Sequence, residues 1–433
     1  MEKNVEFKIN KTALQLNPGE HDWLKLLAIP GGSAVEALFE SSDPAVVNVS
    51  PDGTVTAVGN GSAVVSVRPA SGGEAFICSV TVGEFKPASK FRIVAFMPYF
   101  YGPELNETTF DNLKKGGVTN VELNFVMAAD TVSDEGIMKA LALANERGLD
   151  VTLSGKKFTG AAWPTLPDEE ILEFVKRYSH LPGVSAFFIT DEPQTSTQYA
   201  RPIALIKSVM PHAIAHINYC GKYRDNISAL QSELKDRYGV SLDYVMYDSY
   251  CFMTEVCNES RLYSQLRYNR EVSRELGVPG ATYIQSISWN QTYRPNGDEV
   301  RYQVFAALAS GVKQISYFCW KTPAPNKAET FGPAVIDIDN SPTDLFGPVS
   351  ELNARVQVLG PTLMKLETID LYHTGEEFGD GFNALLGGFF VKPADYSRKL
   401  ALSHMEDANG RVYCMIVNRD YKKPAEGRGY VRK

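Results

Sequence analysis

The sequence predicts a multidomain protein with an N-terminal all-β sandwich, a central α/β (β/α)8 TIM barrel and a short C-terminal β-segment. Three observations carry this prediction. Residues 1–86 consist of short apolar or alternating runs separated by Gly, Pro and Asn turn signals. From residue 91 to about 368, eight apolar runs alternate with amphipathic stretches. Residues 369–433 return to short strands with an Asn-Gly turn signal.

Composition excludes several classes of function. At 433 residues the chain is long enough for two or three domains, and its net charge of −8 argues against nucleic acid or an anionic membrane as a partner. No apolar run reaches the roughly 18 residues of a membrane span. The start, MEKNVEF, lacks the apolar core of a signal peptide, so either the chain is cytoplasmic or a leader has been removed. The scattered cysteines form no CxxC spacing, so we expect mostly buried thiols, with Cys251 and Cys257 close enough in sequence to pair.

The N-terminal segment carries a specific resemblance. The stretch Phe39–Val67 reads FESSDPAVVNVSPDGTVTAVGNGSAVVSV. Its order of SSDP, VVNVSPDG and TVTAVGNGSA resembles the bacterial immunoglobulin-like domain of group 2. This resemblance implies an Ig-like sandwich that serves as an adhesive or spacer module on extracytoplasmic proteins, in contact with a cell surface or glycan. It therefore favours an exported protein whose leader is missing, and it assigns no chemistry to residues 1–86.

The barrel prediction rests on the spacing of eight candidate strands. An eight-stranded barrel is expected to repeat a strand and a helix over a length of this order. A doubly wound open sheet is the alternative, and it is less favoured because no Gly-rich phosphate loop follows any of these strands. The predicted strands are Arg92–Phe100, Val118–Val126, Leu149–Ser154, Val184–Thr190, Ala213–Tyr219, Leu242–Tyr247, Gly280–Ser286 and Lys313–Cys319.

The fourth of these strands ends in an unusual way. The stretch Val184–Pro193, VSAFFITDEP, begins with apolar residues and finishes with two adjacent carboxylates and a proline. Carboxylates are seldom buried unless they are paired or used. One reading is a helix cap, with Thr190 or Asp191 capping a helix over Tyr199–Met210. The other reading presents Asp191 and Glu192 to a substrate, because the working face of a barrel lies at the carboxyl ends of its strands.

The remaining strand ends are rich in amides, acids and aromatic residues. They contain no histidine cluster, so we expect no metal and no cofactor, and we expect the lone His216 to be a satisfied interior residue. Tyr and Trp rings at one end of a barrel suit the flat apolar faces of sugar rings. The predicted strand-end residues are Tyr99, Phe100, Tyr101, Asn124, Ser154, Lys156, Asn218, Tyr219, Tyr247, Asp248, Ser249, Tyr250, Gln285, Ser288, Trp289, Trp320 and Lys321.

Two carboxylates on such a face are the pattern of glycoside hydrolysis. The motif Asp191-Glu192-Pro193 resembles the Asn-Glu-Pro of the large barrel clan of retaining glycosidases. The segments Glu299–Trp320 and Gly332–Leu345 resemble family-42-like β-galactosidases and their relatives. Together the resemblance covers roughly residues 90–370. It implies that Glu192 is the general acid/base.

The resemblance does not supply the second carboxylate cleanly. The clan places a second Glu at the end of the seventh strand, where this chain reads ATYIQSISW with Gln285 and no acid. The best remaining candidate is Asp248 at the end of the sixth strand, either as a catalytic group or as a hydrogen-bonded structural acid. We expect Glu122 to be a paired interior acid. We expect substrate to be bound by Asp191, which can also raise the pKa of Glu192 by like-charge repulsion, and by Asn124, Tyr219, Tyr250, Gln285, Trp289 and Trp320.

The sequence thus predicts an extracytoplasmic glycoside hydrolase that cleaves the O-glycosidic bonds of an oligo- or polysaccharide with Glu192 and Asp248. A carbohydrate-binding or adhesion protein on a barrel that has lost catalysis is the competing hypothesis, because the seventh strand lacks its Glu. A third reading is a lyase or isomerase in which Lys156 or Lys321 takes part.

Overall fold

The computed structural model describes residues 6–9, 12–16, 18–19, 21–29, 34–83, 90–97, 105–123, 133–155, 157–179, 181, 183–211, 213–290, 292–324, 329–423 and 429–431. Within these residues none of the helices has the length and apolar character that crossing a membrane requires.

The N-terminal segment folds into three small sheets, in the strand orders β1-β4-β5, β2-β10-β9-β6 and β3-β8-β7. Residues on the strand Gly61–Pro69 alternate between buried and exposed, as expected for a sheet with one face on a core. That core contains Val47, Val55, Val65 and Val80, each with no exposed surface. The strands are β1 (Glu6–Ile9), β2 (Ala13–Leu16), β3 (His21–Trp23), β4 (Leu26–Ile29), β5 (Ala34–Val35), β6 (Ala37–Ser41), β7 (Val47–Val49), β8 (Thr54–Ala57), β9 (Gly61–Pro69) and β10 (Phe76–Val82).

The central segment is a closed barrel of eight parallel strands in sequence order, which confirms the predicted barrel and excludes the open sheet. The last strand pairs with the first through the neighbours Gln314 and Arg92, so the sheet has no free edge. The strands are β11 (Arg92–Met97), β12 (Asn120–Leu123), β13 (Asp150–Leu153), β14 (Val184–Asp191), β15 (Ile214–Cys220), β16 (Val245–Asp248), β17 (Gly280–Gln285) and β18 (Gln314–Phe318).

Helices follow the strands on the outside of the barrel. Their ends obey the signals in the sequence: α3 has Asp168, Glu169 and Glu170 in its first turn, and α5 ends at Gly239 in the left-handed conformation. The helices are α1 (Glu107–Lys115), α2 (Asp134–Glu146), α3 (Asp168–Ser179), α4 (Ala200–Val209), α5 (Arg224–Tyr238), α6 (Glu259–Leu276), α7 (Gly297–Ala309) and α8 (Phe346–Leu363).

The C-terminal residues form small antiparallel sheets beside the barrel. The strand orders are β19-β21-β22, with β23 also paired to β21, and β20-β24. The strand Leu366–Thr374 was not predicted as such, because its apolar residues directly continue the final helix in sequence. The strands are β19 (Leu366–Thr374), β20 (Val391–Pro393), β21 (Leu400–Asp407), β22 (Val412–Tyr413), β23 (Ile416–Asn418) and β24 (Gly429–Val431).

The N-terminal sheets contact the rest of the chain through polar groups. The Thr12 hydroxyl donates to the carbonyl of Arg274 at 2.8 Å, near the end of α6. Lys25 forms an ion pair with Glu406 of β21 at 3.1 Å. These contacts attach the N-terminal segment to the side of the barrel and leave the carboxyl ends of the barrel strands to other residues.

The two faces of the barrel strands differ in polarity. Side chains that point outward, such as Val121, Phe187 and Ile217, belong to one apolar core shared with the helices. Side chains on the alternate positions point into the barrel and include Glu122 and His216, both buried. The barrel interior therefore holds buried polar groups beside apolar side chains such as Phe96 and Met246.

Candidate active site

Three acids converge where β14 and β16 end. Asp191 closes β14 beside Asn218 of β15 in the strand register. The next residue, Glu192, has a left-handed backbone with φ of 41°, and its N–H donates to the carbonyl of Asn218 at 2.9 Å. A non-glycine residue held in this region carries backbone strain, and such strain concentrates at functional sites. The bend turns the Glu192 side chain towards solvent at the end of the barrel.

The capping alternative for this motif is excluded. The helix that follows, α4, has Tyr199 at its N-cap position, and no side chain caps it by a hydrogen bond. Neither Thr190 nor Asp191 therefore satisfies a helix terminus. The Thr190 hydroxyl instead accepts a hydrogen bond from the Tyr199 hydroxyl at 3.2 Å.

Asn218 holds two of the acids in place. Its Nδ2 donates to Asp191 Oδ1 at 2.8 Å and to Asp248 Oδ1 at 3.0 Å. The side chain of Asn218 is buried on β15, between the strands that carry the acids. The sequence located Asn218 at a strand end but gave no signal that its amide bridges two acids, because that contact depends on the register of three strands.

Glu192 and Asp248 form a close pair. One carboxyl oxygen of each, together with Cys220 Sγ, lie within 4.8 Å of one another. Burial and the nearby Glu192 carboxyl raise the pKa of Asp248 to about 7, Asp191 raises it further, and the hydrogen bond from Asn218 opposes the rise. Asp248 is thus protonated in slightly acidic solution, with a carboxyl oxygen of Glu192 within 4.8 Å of its own.

Asp191 and Cys220 complete the immediate surroundings of this pair. Burial and the charge of Glu192 raise the pKa of Asp191, although its side chain still reaches solvent through the barrel mouth. Cys220 is exposed, which corrects the expectation of a plain buried thiol. Burial by surrounding atoms and the charges of Asp248 and Glu192 raise the pKa of its thiol to about 11, so the thiol is neutral.

Glu192, Cys220 and Asp248 are also a group with the spacing to hold a metal ion within the described residues. The set differs from a typical zinc site in having no histidine.

A buried network lies deeper in the barrel. The Tyr283 hydroxyl lies 3.3 Å from both carboxyl oxygens of Glu122 and 3.3 Å from His216 Nε2. Burial, with the charge of Asp191, raises the pKa of Glu122 to about 8, and burial lowers that of His216 to about 3. Both groups are therefore neutral near pH 7, and Glu122 is the paired interior acid that its position predicts.

Aromatic side chains form one wall of the mouth. The rings of Tyr250 and Trp289 lie 5.0 Å apart, and each contacts Phe318, at 5.2 Å and 5.5 Å respectively. All three are half-buried, so part of each ring remains accessible. Phe318 was not among the predicted site residues because it reads in sequence as one more apolar residue of the eighth strand.

Two predicted substrate-binding residues point away from this mouth. Tyr219 is buried in the outer core, where its ring stacks on Tyr223 at 5.4 Å. Trp320 is also buried, and its ring packs close to Gly116. Tyr219 follows the inward-facing Asn218 on β15, and the alternation of strand side chains turns it outward, whereas Trp320 lies two residues beyond the end of β18. Each therefore serves packing.

Gln285 is likewise corrected to a structural residue. Its side chain is fully buried, and its Nε2 donates to the carbonyls of Phe252 and Tyr293 at 2.9 Å each. Its Oε1 accepts from the N–H of Phe252 at 3.2 Å. The amide thus fixes the segment after β16 and has no free group to offer a substrate.

Of the other predicted strand-end residues, some lie outside the described part of the chain, and Ser154 and Lys321 make structural contacts. Asn124, Lys156 and the run Tyr99–Tyr101 lie outside the described residues. Ser154 is buried, with its hydroxyl donating to the carbonyl of Leu123 at 2.9 Å. Lys321 is buried beside Ile336, with which it forms a backbone bridge.

Comparison with known proteins gives one family match. Residues 187–359 match the model of a β-galactosidase family, glycoside hydrolase family 42. The matched segment contains Glu192 and Asp248 and runs from β14 into α8. This match supports glycosidase activity for the barrel. No curated protein sequence matches the chain significantly.

Solved structures with a similar barrel are distant from this chain. A β-galactosidase from the psychrophilic Marinomonas ef1 is 12% identical, with a TM-score of 0.48, over 66% of this chain and 62% of its own. A catalytic mutant of a family 42 β-galactosidase from G. stearothermophilus is 11% identical, with a TM-score of 0.49, over 64% and 57%. A xylanase with a bacterial Ig-like domain, from termite gut, is 13% identical, with a TM-score of 0.40, over 80% and 99%. The chain spans less than two thirds of the length of both β-galactosidases.

Proposed function

We propose that this chain is a glycosidase that hydrolyses O-glycosidic bonds with Glu192 and Asp248 as its two carboxyl groups. The observation that carries the proposal is the pairing of these carboxyls at the carboxyl end of the barrel, within 4.8 Å. The name of the matched family makes a β-galactoside the first substrate class to test, as part of an oligo- or polysaccharide.

In the proposed reaction Glu192 donates a proton to the glycosidic oxygen as the bond to the anomeric carbon breaks. The carboxylate of Asp248 attacks that carbon and forms a covalent glycosyl ester. Water then attacks the anomeric carbon, Glu192 takes its proton, and the bond from that carbon to Asp248 breaks to release the carboxylate. The short separation supports this retaining course, because inversion needs about 6.5–9.5 Å between carboxyls to admit a water.

The proton for the first step is supplied by the carboxyl pair itself. With its pKa raised to about 7, Asp248 holds a proton that passes to Glu192, whose carboxyl oxygen lies within 4.8 Å. Glu192 acts as the acid when that proton lies on its side of the pair and leaves Asp248 ionised. Asp191 and Asn218 tune this proton in opposite directions, since the negative charge of Asp191 raises the pKa of Asp248 and the amide of Asn218 lowers it.

The sugar ring has an aromatic wall to bind against. Tyr250, Trp289 and Phe318 each keep part of their ring accessible beside the acids. Apolar faces of sugars stack on such rings. Asp191 has an exposed carboxyl that can accept a hydrogen bond from a sugar hydroxyl, and Asn124 remains a proposed contact from sequence.

Turnover of aryl glycosides tests the proposal. The wild-type chain is expected to release the phenol from an aryl β-galactoside, or from another member of an aryl-glycoside panel. Glu192→Gln and Asp248→Asn are each expected to lose about 10²–10⁴-fold in turnover. The control is Glu255→Gln, which changes an exposed acid on the segment after the same strand as Asp248. Wild-type rates in either Glu192→Gln or Asp248→Asn would contradict the assignment.

A carbohydrate-binding protein without catalysis is the second candidate. It is favoured by Gln285, because the end of the seventh strand carries a fully buried amide in place of an acid. Binding of a polysaccharide, measured by calorimetry, without release of reducing ends over the whole panel would support this candidate. Product release that depends on Glu192 would exclude it.

We also propose that residues 1–86 are the Ig-like module and that the protein is extracytoplasmic. The order of motifs in Phe39–Val67 supports the module, and its small sheets with a valine core are compatible with it. The module is proposed to contact a cell surface or glycan. Fractionation of producing cells, with detection of the full chain, tests the location: recovery only with cytoplasmic markers would contradict it.

A further inference from the structure

A buried arginine lies at the end of the barrel opposite to the candidate site. Arg92 opens β11, points inward and is only 8% exposed. Its Nη2 makes one long hydrogen bond, to the Thr152 hydroxyl at 3.4 Å, and its Nη1 is buried with no hydrogen-bond partner. The interior acid Glu122 lies 3.8 Å from His216 Nε2 and contacts the Tyr283 hydroxyl at 3.3 Å. Among the described residues this guanidinium therefore has an open donor and no carboxylate in ion-pair range.

Two further buried polar groups at this end of the barrel also lack a hydrogen-bond partner. Gln314 is the register neighbour of Arg92, and its Oε1 is buried without a partner. The hydroxyl of Tyr244 is likewise buried and unpartnered. Tyr244 belongs to the same interior cluster as Met246, whose Sδ contacts Gln314 Nε2 at 3.9 Å, so Tyr244 lies at the same end of the barrel as Gln314. Three unsatisfied polar atoms thus gather at one end of a closed barrel, where buried polar groups are normally satisfied.

The amide of Gln314 can turn to become a donor. As assigned, its Nε2 contacts Met246 Sδ at 3.9 Å and the Ser316 hydroxyl at 3.4 Å, and both contacts are long. The two amide orientations place N and O in nearly the same positions. In the turned form Nε2 takes the open position, and Oε1 accepts from Ser316. Arg92, Tyr244 and Gln314 then present three donors.

Charge favours an anion over water as the occupant. Near pH 7 Glu122 and His216 are neutral, because their pKa values are about 8 and about 3. Asp243, the acid nearest in sequence to Tyr244, is already paired with Lys207 at 2.8 Å. An unpaired buried charge is costly, and a water molecule leaves the charge of Arg92 in place.

We propose that the end of the barrel opposite to the acids binds a small monovalent anion, of the size of chloride or bromide, between Arg92, Tyr244 and Gln314. The guanidinium supplies the charge, and the hydroxyl and the amide complete the donors. The site is separate from the carboxyl pair and does not depend on the proposed glycosidase function.

Halide-dependent thermal unfolding of the full chain tests the site. Ligand that binds only the folded state raises Tm with its concentration, because it adds RT ln(1 + [L]/Kd) to the free energy of unfolding. We expect sodium bromide to raise Tm by about 2–4 °C beyond sodium gluconate at equal ionic strength. Tyr244→Phe removes one donor with little change of shape and is expected to lose most of that rise. Tyr219→Phe is the matched control, because it also removes a buried unpartnered hydroxyl, and it should keep the full rise.

Crystals of the full chain grown in sodium bromide give the direct observation. Anomalous density for bromide beside Arg92 is the expected result. Water density there, an equal Tm rise in gluconate, or an unchanged bromide response in Tyr244→Phe would each overturn the proposal.

Discussion

The carboxyl groups of Glu192 and Asp248 come within 4.8 Å of each other from strands that are not neighbours. Between β14 and β16 lies β15, which contributes Asn218 to hold Asp248 from one side. The same amide holds Asp191, and the Asn218 carbonyl accepts from the Glu192 N–H, so all three acids contact this one buried residue. Because of this arrangement, we expect single substitutions of the neighbouring residues to shift the pKa of Asp248, each in a direction that follows from the contact removed.

Asp191→Asn is expected to move the pH dependence of turnover to lower pH. The carboxyl pair must hold its proton for acid catalysis, so kcat/KM of the wild type should fall as pH rises through about 7, the pKa of Asp248. The charge of Asp191 raises that pKa, and its removal lowers it. Measurement of kcat/KM from pH 4 to 9 checks the shift. A falling limb that stays in place, or moves to higher pH, would show that Asp191 does not act on the pair.

Asn218→Leu is expected to move the same limb to higher pH. The amide hydrogen bond stabilises the ionised form of Asp248, and its loss raises the pKa. We also expect kcat to fall about 10–100-fold, because the acids lose their positioning group. Asn226 lies in a different loop, so Asn226→Leu is not a matched control for Asn218→Leu. The second variant is therefore Asn218→Asp, at the same position. The added carboxyl, the fourth acid of the site, should raise the pKa still more, and an unshifted limb in both variants would rule out the positioning role.

In the wild type, Glu122 is expected to lower the free energy of unfolding as pH rises to neutral. Glu122→Gln is expected to remove that decrease. The folded pKa of about 8 lies above the ordinary 4.5, so the unfolded carboxyl ionises first and the free energy of unfolding falls between pH 4.5 and 8. At pH 7 this loss is on the order of 3 kcal/mol. Urea unfolding of both proteins at pH 5 and pH 7.5 gives the difference between them. A wild-type-minus-variant difference that is equal at the two pH values would contradict the neutral, buried Glu122.

Trp289→Ala is expected to raise KM for a sugar substrate about tenfold with a smaller change in kcat. An aromatic contact of this kind contributes about 0.5–1.5 kcal/mol, which is up to roughly a tenfold change in affinity. Trp320→Phe is the control, because Trp320 is buried in packing on the outer side of the barrel. Initial-rate kinetics, corrected for the folded fraction, compare the two. An increase in KM for Trp320→Phe but not for Trp289→Ala would reverse the assignment of the sugar-facing ring.

The barrel could be predicted from sequence because each strand is marked by an apolar run of its own. All eight predicted strands are present, with shifts of a few residues at their ends, since apolar runs bounded by helix caps have few other ways to fold. The three small N-terminal sheets and the strand Leu366–Thr374 were harder to place. Their pairing depends on contacts far apart in sequence, such as β10 beside β2.

Site residues could be predicted only where their position at the end of a strand is enough to place them at the mouth of the barrel. Glu192 and Asp248 end their strands, and their convergence follows from the barrel once the strands are known. Tyr219, Gln285 and Trp320 lie at similar strand ends, yet the side-chain alternation or a local hydrogen bond turns them away. Asn218, Cys220 and Phe318 join the site through strand register, which sequence periodicity leaves open by one residue.

The dependence of rate on the leaving group tests the central pair most directly. Aryl glycosides of the sugar that the wild type turns over best are compared, from dinitrophenyl, which needs no proton, to phenyl, which needs one. If Glu192 is the acid and Asp248 the nucleophile, Glu192→Gln keeps near wild-type release of dinitrophenol in the first turnover and loses about 10²–10⁴-fold on the phenyl glycoside. Asp248→Asn should lose both activities. Equal losses on both substrates for Glu192→Gln, or release of dinitrophenol by Asp248→Asn at the wild-type rate, would contradict the account.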